Sequence, residues 1–168
     1  MNARTNPSLQ TGVDIYADRI CELAACHAPG EHRYLGGCFS SLVHVDQSIL
    51  TERGEAAAKV HGIADSDIAE APDFTTAWSI FLFWVEDLLE MTVAEETDSE
   101  NEQAQQTQLL SEPPLLLLGG HNSVRFDFPM LLAECLRHCV PSDCFKKWLF
   151  VDTLHVVSAF NYSCKKLQ

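Results

Sequence analysis

LLLLGGHNSVRFDFPMLL, residues Leu115 to Leu132, is the stretch on which the fold turns. Its four leucines make an apolar run of the length of a buried strand, far too short to span a bilayer. Gly119 and Gly120 end the run. His121, Asn122 and Ser123 are polar and can hydrogen-bond a backbone or a ligand. Phe126, Asp127 and Phe128 follow, and Pro129 suits the first turn of a helix. The reading is a strand, a tight turn and a helix. Asp127 then falls where the carboxyl end of the strand opens, and open α/β sheets place their ligands at that end.

The chain has 168 residues, 46% of them hydrophobic, which suits one domain with a core and argues against wholesale disorder. No apolar run is long enough for a membrane span, and MNARTNPSLQTG lacks the apolar segment of a signal peptide. Seven cysteines, an odd number, with no export signal, lead us to expect reduced thiols in the cytosol or nucleus. The net charge is −13, which opposes loose binding to a phosphate backbone. Much of it is local. Glu90, Glu95, Glu96, Asp98, Glu100, Glu102 and Glu112 occur with no Lys or Arg among them. Any contact with nucleic acid therefore needs a bound cation or a short local footprint.

Around the central stretch the pattern is that of a mixed sheet. Arg19 to His27 alternates like a strand, and Tyr34 to Val45 reads as a second strand antiparallel to it. Val60, His61, Gly62 and Ile63 form a compact turn. Asp73 is placed to cap a helix from Phe74 to about Met91, with Phe74, Ala77, Trp78, Phe81, Leu82, Val85, Leu88 and Leu89 at core-facing spacing. Residues 93–114 are acidic and Gln-rich, and we read them as a flexible insertion within a single domain over 1–168. A helix from about Pro129 to about Cys139 is expected to bury Leu131, Leu132, Cys135 and Leu136 and to stop before Pro141. Trp148 to Val151 reads as a strand, and a last helix begins near Leu154. Two antiparallel strands, a helix, then strand, helix, strand and helix specify an α/β domain.

At this point the chain resembles a known family. HNSVRFDFPMLLAE, His121 to Glu134, is similar to the second motif of the DEDDh 3′–5′ exonucleases, the DnaQ-like group, and especially its TREX-like branch. VHGIADSDIAEAPDF (Val60 to Phe74), TGVDIYADRICELAA (Thr11 to Ala25) and FVDTL (Phe150 to Leu154) resemble further segments of that family, in the family's order. The resemblance implies a ribonuclease H-like fold, a five-stranded mixed sheet flanked by helices. It implies removal of nucleotides from a nucleic-acid 3′ end, with single-stranded DNA the expected partner, no membrane, and room for a dimer. The cofactor it implies is Mg²⁺ or Mn²⁺. Paired cations about 3.5–4 Å apart polarise the scissile phosphate and generate the attacking hydroxide, and a histidine serves as general base.

The resemblance carries over residue by residue, and only in part. Asp127 matches the second-motif metal ligand. Phe126 matches the position that packs on the terminal nucleotide, although alone it reads as a core phenylalanine. His61, Gly62, Ile63 and Asn122 match the surroundings of the 3′ end, His61 to Ile63 reading otherwise as a structural turn. His121 is a turn-shaping hydrogen bonder, Glu22 a supporting carboxylate, and Asp152 a helix cap near the site. The first motif, Asp-x-Glu, falls in this register on Pro7 and Leu9. No His and Asp match the third motif. One metal-binding acid of four remains, so no catalytic set is complete. The expectation is a truncated or degenerate member, lacking a proper first central strand and the C-terminal helix, and not hydrolysing phosphodiesters. The alternative expectation is a non-catalytic nucleic-acid-binding or protein-interaction module built on the same fold.

Overall fold

A computed structural model of the chain describes residues 2–4, 14–28, 37–50, 58–59, 62–98 and 116–158. Five strands form one sheet: β1 (Asn2–Arg4), β2 (Glu22–Ala28), β3 (Cys38–Leu42), β4 (Leu116–Gly120) and β5 (Trp148–Asp152), in the spatial order β3-β2-β1-β4-β5. The β3-β2-β1 pairs are antiparallel, and β1-β4-β5 are parallel. The sheet is mixed, as expected for the ribonuclease H-like α/β class. Two longer helices are α1 (Phe74–Asp98) and α2 (Asp127–Arg137).

The central position corrects one expectation. Residues 2–4 occupy the place that the sequence was expected to leave without a proper strand. Asn2, Ala3 and Arg4 stand opposite Leu117, Leu118 and Gly119 on one side and Ala28, His27 and Cys26 on the other. Composition misled here, because a strand flanked by two others is held by ladder hydrogen bonds that any non-proline backbone can make. Pro7 and Leu9 lie outside the described residues, as do Leu115, Phe160 and the end of the chain. Residues 153–158 are helical.

Alternation along the strands decides the covered face. Leu23 and Ala25 of β2 are buried, and so are Leu116 and Leu118 of β4. Trp148 and Phe150 of β5 share that side and meet an aromatic cluster on the helices. Asp73 caps α1, its Oδ1 accepting the Thr76 N–H at 2.7 Å. The core stripe of α1 is Phe74, Ala77, Trp78, Phe81, Val85 and Leu88, with Leu82 and Leu89 only partly buried. The helix continues to Asp98, so residues 93–98, read from sequence as the start of a loop, are helical. Residues 99–115 are outside the described set.

Helix α2 is rotated relative to the expectation. Its inner face is Phe128, Met130, Leu131, Glu134 and Cys135, whereas Leu132 is 42% and Leu136 79% exposed. Once Asp127 and Phe128 turn inward, the 100° step per residue carries Leu132 and Leu136 outward. The helix ends at Arg137. Cys139 takes a left-handed conformation (φ 53°), and Val140 N–H donates to the Cys135 carbonyl at 2.8 Å.

The expectation of seven reduced cysteines is also corrected. Cys26 and Cys38 are register partners on β2 and β3, with Cα atoms 4.1 Å apart, and they form a disulfide. Hairpin register made the pair, and sequence spacing does not reveal register. Cys21, Cys135, Cys139 and Cys144 are free thiols. Among the described residues, no helix is long and apolar enough to cross a membrane.

Candidate functional site at the carboxyl ends of the parallel strands

Strands β4 and β5 end side by side, Gly120 opposite Asp152. The polypeptide leaving β4 makes a tight turn through His121 to Phe126 and enters α2 at Asp127. Asn122 sits in the left-handed region (φ 56°), which asparagine tolerates better than most residues. The Ser123 carbonyl accepts from the N–H groups of Phe126 (3.3 Å) and Phe128 (2.9 Å), fixing the entry angle of the helix.

Asp152 organises this turn. Its Oδ1 accepts from the backbone N–H of Asn122 (2.8 Å) and Leu154 (2.9 Å), and its Oδ2 accepts from Val124 N–H (3.2 Å). The carboxylate therefore ties the β4–α2 turn to the start of the helical residues 153–158. Burial pushes the Asp152 carboxyl up. The three N–H donors and the nearby His155 imidazole outweigh that and hold it below the ordinary carboxylate range. His121 joins the same junction, its Nδ1 lying 3.3 Å from Thr153 Oγ1, while Thr153 donates to the Gly120 carbonyl.

Asp127 is 6% exposed, in the first turn of α2, where the helix dipole favours a carboxylate. It borders a narrow apolar space with Leu23, Ala24, Phe81, Leu118 and Leu131. Phe126, immediately before it, is 38% exposed. Among the remaining sequence candidates, Glu22 accepts from Ser40 Oγ at 2.8 Å across the β2–β3 pair. Ile63 packs against the small core of Cys21, Val45, Leu50 and Ile68, and Gly62 supplies a positive φ of 73° before it. His61 lies outside the described residues. The structure thus brings His121, Asn122, Phe126, Asp127 and Asp152 to one turn, and gives Glu22 and Ile63 partners elsewhere.

One polar centre escaped the sequence reading. Glu134 is 2% exposed, and its Oε1 accepts from Arg137 (2.9 Å) and from the Ile20 N–H (3.3 Å), with His138 Nε2 3.5 Å from Oε2. Arg137 also donates to the Ile15 carbonyl. This cluster pins the end of α2 to the turn that precedes β2. The i, i+3 and i+4 spacing of Glu134, Arg137 and His138 was the available signal. A cleft of about 180 Å³ lies beside it, bordered by Arg19, His44, Asp46 and Asp73. Two of its polar groups are engaged internally: His44 Nδ1 is 3.0 Å from the Ala69 carbonyl, and Asp73 caps α1.

Two divalent cations require several anionic oxygens converging on one point. The described residues do not fit that demand. They contain no group of three or more His, Cys, Asp or Glu side chains able to hold an ion. Asp152, the acid nearest in the fold to Asp127's turn, already has both oxygens engaged by backbone amides.

No protein-family model matches the chain. A stretch of 78 residues is 30% identical to an oligoribonuclease of Mycobacterium avium (strain 104), covering 45% of this chain and 36% of that protein. The oligoribonuclease of Mycolicibacterium paratuberculosis matches equally. The chain thus spans about a third of the curated relatives it matches. Exonuclease I from Methylocaldum szegediense has a similar structure, with a TM-score of 0.59 at 14% identity over 93% of this chain and 28% of that one. Escherichia coli exonuclease I in complex with single-stranded DNA gives 0.59 at 16% identity over 94% and 29%. The nuclease domain of 3′hExo, a DEDDh family member bound to rAMP, gives 0.56 at 11% identity over 83% and 60%. At such identities the likeness is one of fold, and the fold this chain adopts is the ribonuclease H-like fold of these exonucleases.

Proposed function

We propose that this domain binds the 3′ end of single-stranded nucleic acid, DNA in preference to RNA, at the turn between β4 and α2, without hydrolysing it through the acids described above. The observation that carries the reading is a buried carboxylate beside a part-exposed aromatic ring, Asp127 beside Phe126, at the carboxyl end of a parallel strand in an exonuclease fold. In this reading Phe126 gives the terminal base a stacking surface, and Asp127 accepts a hydrogen bond from the 3′-hydroxyl. Neither interaction needs a broad basic face, which a chain of net charge −13 lacks. The DFPMLLAE run, Asp127 to Glu134, supports the TREX-like branch and DNA. The 78-residue match to an oligoribonuclease supports RNA as the competing ligand.

Fluorescence anisotropy with 5′-labelled oligonucleotides tests the proposal. The wild-type chain is expected to prefer a 3′-hydroxyl end to a 3′-dideoxy end, and Asp127→Ala to lose that preference. Phe126→Ala is expected to weaken binding roughly five- to a hundredfold, the worth of one stacked base. RNA competitors decide the nucleic-acid class. Shortening of the labelled strand in Mg²⁺ or Mn²⁺, abolished by Asp127→Ala, would show that a metal-dependent 3′–5′ hydrolase is at work. The charge of −13 favours one other reading, a protein-interaction module on the same fold. Absence of binding to any oligonucleotide would select it.

A further inference from the structure

Five residues, one from each strand, lie on a single rung of the sheet: Cys38 of β3, Cys26 of β2, Arg4 of β1, Gly119 of β4 and Val151 of β5. We propose that the Cys26–Cys38 disulfide on this rung is a reversible clamp through which the thiol–disulfide balance of the surroundings controls docking of the central strand β1. The reasoning is positional. β1 is three residues long and pairs only with residues 26–28 of β2 on its antiparallel side. That is the far end of β2, next to the β2–β3 connection, and among the described residues the only other strand holding it is β3. β3 itself lies at the edge of the sheet. The disulfide closes a sequence separation of 12 residues at that rung. It therefore holds β2 in register at the segment where β1 must find its partner. Without the bond, the terminal rungs of the β2–β3 ladder fray first, as strand ends do, and β1 loses its template on one side.

The chemistry is thiol–disulfide exchange with a small-molecule thiol such as glutathione. Cys38 is exposed and Cys26 half-buried, so the attack falls on the Cys38 sulfur. The incoming thiolate bonds to it, and the Cys26 sulfur leaves as a thiolate and takes a proton. A second small thiolate then displaces Cys38 from the mixed disulfide, and Cys38 takes a proton in turn. Two small thiols become one small disulfide, and the protein gains two hydrogens. The buried thiols of Cys21 and Cys135, each pushed up to about 12 chiefly by burial, stay protonated and take no part.

The test is amide hydrogen exchange on the full chain in oxidised and reduced glutathione buffers, with alkylation and peptide mass mapping of each cysteine. On reduction, Cys26 and Cys38 should become alkylatable, and amides of residues 2–4 and 22–28 should exchange up to about a hundredfold faster, the size expected for releasing a loop of this length. The double variant Cys26→Ser/Cys38→Ser should exchange fast in both buffers, and Cys139→Ser should behave as wild type. Equal exchange of residues 2–4 and 22–28 in the two buffers overturns the proposal, as does equal alkylation of Cys26 and Cys38. If the double variant does not fold, the wild-type comparison still decides.

Discussion

At the scale of single residues, Asp152 and Asp127 divide the work of the site. Asp152 spends its oxygens on three backbone N–H donors and thereby sets the path of the β4–α2 turn. Asp127 follows from that path. The Asp152 carboxyl lies below its ordinary range in the folded chain. Its stabilising contribution is therefore complete above the unfolded carboxyl value of about 3.9, and is lost as pH falls through the lower folded value. Asp152→Asn should accordingly melt lower than wild type at pH 7, and the gap should narrow as pH drops below about 4. Thermal melts across that range check it, and a gap independent of pH would contradict the account. Half of this role is legible without coordinates. An aspartate before Thr153 at the end of an apolar run reads as a helix cap, and it does accept from Leu154 N–H. Its bonds to Asn122 and Val124 were illegible, because they span about thirty positions and depend on β4 and β5 being neighbours.

Elements are where patterning was most and least informative. Helix α1 was legible because six core residues repeat at helical spacing behind a capping aspartate. Helix α2 was found but mis-phased, since four leucine and cysteine positions fit two rotations and the choice fell to Asp127 and Phe128 turning inward. The end of α2 shows a cost that sequence did not signal. Cys139 occupies the left-handed conformation that usually falls to glycine, a strain of about 1 kcal/mol. Cys139→Gly is expected to stabilise the chain by about that amount, read as a higher urea midpoint at unchanged slope. In α1, the Trp78 indole N–H is buried with no partner among the described residues. Trp78→Phe removes that orphan donor, worth about 1–3 kcal/mol, while shrinking the ring that packs on Phe74, Phe81, Phe145 and Trp148. The two effects oppose, so Trp78→Phe should fall within about 1 kcal/mol of wild type by the same denaturation. Trp78→Ala should lose about 3–5 kcal/mol. A loss in Trp78→Phe as large as in Trp78→Ala would mean that the indole N–H is satisfied after all.

The whole molecule depends on its shortest strand. Four strands can be recognised from alternation or apolar runs, because their side chains meet the core. β1 escapes that kind of reading, since Asn-Ala-Arg carries no strand signal, and its place is marked by its pairing with β2 and β4. Yet it joins the antiparallel half of the sheet to the parallel half: among the described residues the hydrogen-bonded ladder passes from β2 to β4 through it, in the order β3-β2-β1-β4-β5. A proline in the middle of a central strand deletes a ladder hydrogen bond and is tolerated only at edges. Ala3, which stands between His27 and Leu118, is the position to test. Ala3→Pro removes a backbone donor from a strand paired on both sides and should destabilise the chain by about 1–3 kcal/mol. Because β1 bridges the two halves, the urea transition should also broaden as β2–β3 and β4–β5 begin to unfold separately. A surface control such as Lys146→Pro is unsuitable, since it sits in a turn. Arg4→Ala keeps the backbone donor and should leave the transition sharp. If Ala3→Pro melts like wild type, residues 2–4 are not what joins the two halves, and the first of the five strands must be drawn from some other part of the chain.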